Sequence, residues 1–173
     1  VLQGGGDGGN RATPYLAWRR VFATLLSVTR ADEVTTIRTD LARFAPLLNA
    51  VLPSAVDEPP LIREMQGDVR SANTRRLLAS LLEDAAADGP LLLTLDNVHW
   101  LDSSSLRLLS DLLDLEVPIA LVLTARTDER HLNADLERLM ADARVRTLQV
   151  GAFSTREVSA FVSAALGLGE VPA

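Results

Sequence analysis

The chain contains no cysteine. A disulfide framework and a thiolate metal site are both excluded, which is compatible with the cytoplasm, the compartment expected for it. It also lacks lysine, so all 17 basic residues are arginine. Coding bias in a GC-rich genome accounts for that, and for the abundant Ala, Leu and Asp. Whatever the cause, no residue of this chain can serve as the lysine of a phosphate-binding loop. No apolar run approaches the roughly 18 residues of a membrane span, so no membrane partner is expected. The opening Val1-Leu2-Gln3-Gly4 has neither an initiator Met nor the basic-then-apolar layout of a signal peptide. The chain reads as a piece of a longer polypeptide. A net charge of −6 argues against direct contact between this segment and a nucleic-acid backbone.

What remains is a globular composition. The 173 residues are 47% hydrophobic, enough for one domain with a substantial core. No repeat period and no linker divides them. The run Gly4-Gly5-Gly6-Asp7-Gly8-Gly9-Asn10 is a flexible loop by composition. It is not a phosphate cradle, because Asn10 and Arg11 follow where Lys and Ser or Thr would be needed.

Pro14, capped by Thr13, suits the start of a helix with apolar positions at Leu16, Val21, Leu25 and Val28. A second helical stretch is expected from Asp32 to Phe44, broken at Pro46, with a short turn over Leu47 to Leu52. Pro53 to Pro60 reads as a surface loop. Residues 68 to 87 form a strong helix, with a stripe of Leu77, Leu78, Leu81 and Leu82 and a stop at Gly89-Pro90. Leu91 to Leu95 and Ile119 to Thr124 are short apolar runs of the kind buried on both faces of a parallel sheet. Between them lies a helix from Ser103 to Leu115, capped by Asp102 or Ser103. A helix from Asn133 to Ala143, a third strand from Val145 to Val150 and a last helix follow. That last helix opens with the capping box Ser154-Thr155-Arg156-Glu157 and ends near Gly167. This alternation predicts a parallel α/β sheet with right-handed crossovers.

Ligands of open α/β sheets bind beyond the carboxyl ends of the strands. There the chain carries Asp96-Asn97-Val98-His99-Trp100-Leu101-Asp102 and Thr124-Ala125-Arg126. Four apolar positions running into Asp96 make a Walker B pattern, in which a strand-tip carboxylate holds the water shell of a phosphate-bridging Mg²⁺. The blander reading of such an Asp is a turn or cap residue. For Arg126 the bland reading is an ion pair with Asp128 or Glu129. His99 and Trp100 have no second metal ligand at useful spacing, so they read as structural parts of the loop after the strand. Asp102 reads as a helix cap, His131 as an ordinary loop residue, and Asp111 to Glu116 as a solvated helix face.

The stretch Leu95 to Leu109, LDNVHWLDSSSLRLL, resembles the Walker B region of STAND-class P-loop NTPases. It is most similar to the AAA-type ATPase domains of large LuxR-family regulators and of bacterial cyclase-associated proteins. Thr13-Pro14-Tyr15-Leu16-Ala17-Trp18 resembles their Pro-Tyr-x-Pro-Trp helix start, and Leu121 to Arg126 their sensor strand ending in Thr-x-Arg. The resemblance spans residues 1 to about 166. It implies an incomplete three-layer αβα P-loop NTPase fold with a mainly parallel sheet, residues 1–173 being the Walker B and sensor half. By the same resemblance Asp96 is the magnesium-site carboxylate, Thr124 lies at the nucleotide, and Arg126 is the sensor of the terminal phosphate. Asn97 stands where the family usually has an acid that polarises the attacking water. An amide can orient a water but cannot take its proton, which puts hydrolysis in question. ATP and Mg²⁺ are the cofactors implied for the intact parent. The partners implied are the rest of the polypeptide, meaning a P-loop segment and an output domain such as a helix-turn-helix, a cyclase or a kinase.

The resemblance places Val1 to Gln3 at the tail of the family's second strand and puts the missing first strand between the fourth and fifth. An isolated piece without that strand is expected to be poorly stable and prone to aggregate. Two further readings stand beside the nucleotide switch. One is a degenerate, non-enzymatic interaction scaffold, favoured by the absent Lys and by Asn97. The other is a flavodoxin-like or hydrolase domain, which neither a Gly-x-Ser-x-Gly nor a Gly-x-Gly-x-x-Gly supports. Lacking a loop of backbone N–H groups and a Lys, these 173 residues alone are expected to show no saturable ATP binding at millimolar concentration. Isothermal titration returning micromolar affinity would contradict that expectation.

Overall fold

The computed structural model describes residues 1–10, 12–27, 40–52, 57–126 and 134–167. Strands β1 (Leu2–Gly5), β2 (Leu91–Asp96) and β3 (Ile119–Leu123) form one sheet in the order β1-β2-β3. All pairings are parallel, with Leu2 opposite Leu93, Gly5 opposite Asp96, and Leu95 opposite Leu123. The helices are α1 (Arg19–Leu25), α2 (Pro60–Arg63), α3 (Gly67–Ala87), α4 (Ser103–Leu113), α5 (Ala134–Ala141) and α6 (Thr155–Leu166). This is the expected α/β architecture with a parallel sheet, in incomplete form.

A sheet that grows in one direction by right-handed crossovers carries its connecting helices on one face. Accordingly α3 packs on α4 and α4 on α5. Leu77, Leu78, Leu81 and Leu82 of α3 join Leu106, Leu108, Leu109 and Leu112 of α4 over Leu93 and Leu95 to form the core. The half-exposed Asp111 receives Arg75 Nε at 2.9 Å and ties α4 to α3, so it is more than part of a solvated face.

Burial on both faces of the strands is not what the structure shows. Leu93 and Leu95 are buried, but Leu92, Ala120 and Val122 on the opposite face are exposed, Val122 by 52%. One helical layer therefore covers the sheet among the described residues. The expected third strand is also absent, since Val145 to Val150 make no ladder bonds and Leu148 is 87% exposed. Their β-branched residues suit a strand, but a strand exists only where a neighbour supplies the ladder. Among the described residues β3 pairs with β2 alone. The segment instead helps line a cavity of about 540 Å³ beside Leu113, Ile119, Leu121 and Leu139.

Local signals met three further corrections. Gly4 and Gly5 belong to β1, so the glycine run does not begin as a loop. A Cβ on Gly4 would strike the Ala17 carbonyl oxygen, and one on Gly6 would lie 2.5 Å from the Asn97 carbonyl oxygen. These glycines permit close packing of backbone on backbone. The helix expected from Pro14 starts later. Tyr15 takes a left-handed conformation (φ 58°), a 3-10 turn covers Leu16–Trp18, and α1 begins at Arg19. Pro46 does not break its segment but sits inside a 3-10 helix spanning Ala42–Ala50. The expected Asp32–Phe44 helix lies largely outside the described residues, as do His131 and part of the Pro53–Pro60 loop. The caps held: Asp102 caps α4, Ser154 and Glu157 form the capping box of α6, and Gly167 ends it at φ 63°.

Gly4→Ala is expected to cost about 1–3 kcal/mol through forced displacement of the Ala17 backbone. Gly67→Ala, where a Cβ meets nothing within 4 Å, is expected to be neutral or stabilising by up to about 1 kcal/mol. Urea denaturation of the two variants, compared at equal slope, checks the contrast.

Candidate functional site

Parallel pairing forces the tips of β2 and β3 to the same end of the sheet. Asp96 ends β2, and Thr124 follows β3 at the same level. The Thr124 hydroxyl donates to Asp96 Oδ1 at 3.1 Å, and the Asn97 N–H donates to Thr124 Oγ1 at 3.1 Å. Backbone bonds continue the ladder past the strands, from Thr124 N–H to the Leu95 carbonyl at 3.0 Å and from Val98 N–H to the Thr124 carbonyl at 2.9 Å. Asp96, Thr124 and Arg126 are exposed, whereas Asn97 is half-buried. All four sequence candidates thus occur at one end, although no contact of the Arg126 side chain joins it to Asp96.

Asn97 adopts the left-handed conformation, φ 55° and ψ 45°. Asn and Asp are the non-glycine residues that enter this region most readily, because their short polar side chains bond locally. Either residue satisfies the turn that leads from β2 into the 3-10 helix Val98–Trp100. An amide at this position therefore alters the chemistry available without disturbing the loop.

The glycine run closes the β1 side. Gly6 N–H donates to the Asp96 carbonyl at 2.8 Å, and a Cβ on Gly8 would lie 3.2 Å from the Trp100 indole. Asp7 accepts from Gly9 N–H and from the Asn10 amide, both at 2.9 Å. The Asn10 amide, and then Gly9 N–H, hold its carboxyl below the usual carboxylate range. The segment expected to be loose is thus organised around the β2 tip.

Behind the tip, Asp102 fixes the loop at its far end. One carboxylate oxygen caps α4 by accepting Ser105 N–H at 3.0 Å. The other accepts the Ser105 hydroxyl and, at 3.1 Å, the N–H of Tyr15. The buried Tyr15 in turn donates its hydroxyl to the Ser71 carbonyl at 3.4 Å, and burial raises its phenol above the ordinary value. Asp102 is thus the expected cap and also the link between the glycine-loop side and α4. That second role was hidden in the sequence, because the partners are 87 residues apart.

The donors fit a hard cation only in part. Asp96 and Thr124 offer oxygen, as Mg²⁺ prefers. Among the described residues no three His, Asp or Glu side chains gather to hold a metal. Phosphate oxygens and water would have to complete such a shell. The 540 Å³ cavity is lined by none of Asp96, Asn97, Thr124 and Arg126, although their neighbours Val98, Leu123 and Ala125 reach it.

The family model described as an AAA ATPase domain matches residues 1–124. The chain belongs to the AAA ATPase domain family. No match was found among curated proteins or among solved structures. The match ends at Thr124, so Asp96, Asn97 and Thr124 lie within the AAA segment and Arg126 just beyond it. Membership supports a nucleotide-binding, P-loop-type domain whose intact form uses ATP and Mg²⁺. No helix among the described residues is long and apolar enough to cross a membrane.

Asp102→Ala removes the α4 cap and the Tyr15 tether together and is expected to cost about 1–3 kcal/mol. Asp102→Asn retains an oxygen acceptor and should recover more than half of that loss. Thermal melts of the two variants that coincide would show that the acceptor at this position contributes nothing.

Proposed function

We propose that this AAA ATPase domain is the Walker B and sensor half of an ATP-dependent switch in a STAND-class signalling protein. Asp96 addresses the magnesium of the bound nucleotide, with Thr124 orienting its carboxylate. Asn97 orients water near the terminal phosphate, and Arg126 reads whether that phosphate is present. Magnesium, when bound, would neutralise phosphate charge. The observation that carries this reading is the Thr124–Asp96 hydrogen bond across the paired strand tips. It holds a carboxylate at the end of the sheet where α/β folds bind ligands.

A switch needs occupancy more than turnover, so an amide at position 97 is compatible with slow or absent hydrolysis. Nucleotide state would then set whether an attached output domain of the same polypeptide is free or restrained, in the cytoplasm. A second reading, a degenerate scaffold that kept the fold and lost the chemistry, draws support from the missing Lys and from Asn97.

The coding sequence upstream of Val1 separates the two. A Gly-x-x-x-x-Gly-Lys-Ser/Thr roughly 30 to 50 residues ahead supports the switch, and its absence supports the scaffold. In a polypeptide carrying that loop, Asp96→Asn should weaken Mg·ATP binding about tenfold or more, roughly 1.4 kcal/mol. Binding of ATP in excess chelator should change little. Equal Mg·ATP affinity in variant and wild type would remove Asp96 from the site.

A further inference from the structure

His99 is 3% exposed although it sits in the short turn that leaves the β2 tip. Its Nδ1 accepts the backbone N–H of Arg126 at 3.2 Å. An imidazole that accepts at Nδ1 is neutral and carries its proton on Nε2. The β2–β3 ladder reaches Val98 N–H and the Thr124 carbonyl, and there the chain from β2 turns away at the left-handed Asn97. The His99 ring supplies the next acceptor in place of backbone. It carries the pairing two residues beyond Thr124, to Arg126.

Packing alone does not call for this residue. The ring lies against Trp100, centroids 4.7 Å apart, and an apolar ring would make that contact equally well. A buried polar ring is costly unless it is hydrogen-bonded. His brings an acceptor aimed at Arg126 that Leu or Phe would lack.

We propose that His99 is the positioning residue for Arg126. By holding the Arg126 amide, it sets the direction in which the chain leaves β3. The guanidinium and the Asp96 carboxylate then address the same bound nucleotide. The inference rests on the nucleotide-site reading above and extends it to a residue 27 positions away in sequence.

Three substitutions separate the acceptor from the ring. His99→Phe keeps a ring without an acceptor, and His99→Leu serves as a second acceptor-free variant. His99→Asn gives up the ring but can present an amide oxygen near the place of Nδ1. The first readout needs no nucleotide and is hydrogen–deuterium exchange at the Arg126 amide of the chain. His99→Phe and His99→Leu are expected to exchange about 5- to 10-fold faster than wild type, and His99→Asn close to wild type. The second is the ratio of Mg·ATP to Mg·ADP affinity in the polypeptide that carries the phosphate loop. The acceptor-free variants should lower that ratio about fivefold, toward the value for Arg126→Ala, and His99→Asn should restore most of it.

Unchanged Arg126 exchange in both acceptor-free variants overturns the proposal. So does an unchanged ratio in those variants when Arg126→Ala lowers it, and in that case the nucleotide-site reading survives. A ratio that Arg126→Ala leaves untouched overturns that reading and this inference together, even where the exchange data confirm the His99–Arg126 bond.

Discussion

Strand β2 is hydrogen-bonded along both edges, to β1 on one side and β3 on the other, and every residue of the candidate site takes its place from that double pairing. Buried backbone N–H and C=O groups must find partners, and a central strand finds them only in a fixed register. A slip of one residue would move Asp96 off the level of Thr124. It would also exchange the buried Leu93 and Leu95 for Leu92 and Thr94 on the helix-covered face. The burial pattern and the site geometry are therefore enforced by one constraint. The ladder bonds that continue past the strands, to Val98 and Thr124, carry the same register into the loops.

Around that ladder, side chains do what backbone no longer can. Asp102 couples the start of α4 to the left-handed Tyr15. His99 provides an acceptor where the β2 chain has turned away, and Thr124 joins Asp96 to Asn97. The glycines on the β1 side complete the arrangement by letting main chain approach main chain. The Gly6 N–H reaches the Asp96 carbonyl, and Gly8 leaves no room for a side chain beside Trp100 without crowding it. The tip of β2 is thus held from three sides while its carboxylate stays exposed.

The other half of the sheet has no such support. The outer edge of β3 pairs with no described strand, and Leu92 and Val122 face outward. In α6 no residue is buried, and Phe153 stacks on Phe161 at 6.3 Å with both rings exposed. Its capping box and terminal glycine are local signals carried by its own sequence. Local propensity shapes a helix, but burial of its apolar stripe needs a partner surface.

What the residues alone determined was local and periodic: the Leu stripe of α3, the stop at Gly89-Pro90, the Asp102 and Ser154 caps, and the apolar runs of β2 and β3. Each depends on interactions within a few residues, which sequence spacing encodes. The position of Asp96 at a strand tip was legible for the same reason. Tertiary structure decided the rest. Val145 to Val150 has the composition of a strand and pairs with no described strand. Pro14 promises a helix that Tyr15, anchored to Asp102, delays. Leu92 and Val122 sit in apolar runs yet face outward, because the described helices cover one side. His99, an unremarkable loop histidine by spacing, meets Arg126 only after the strands align. Such contacts join groups tens of residues apart, and no local pattern records which partner the folded backbone will supply.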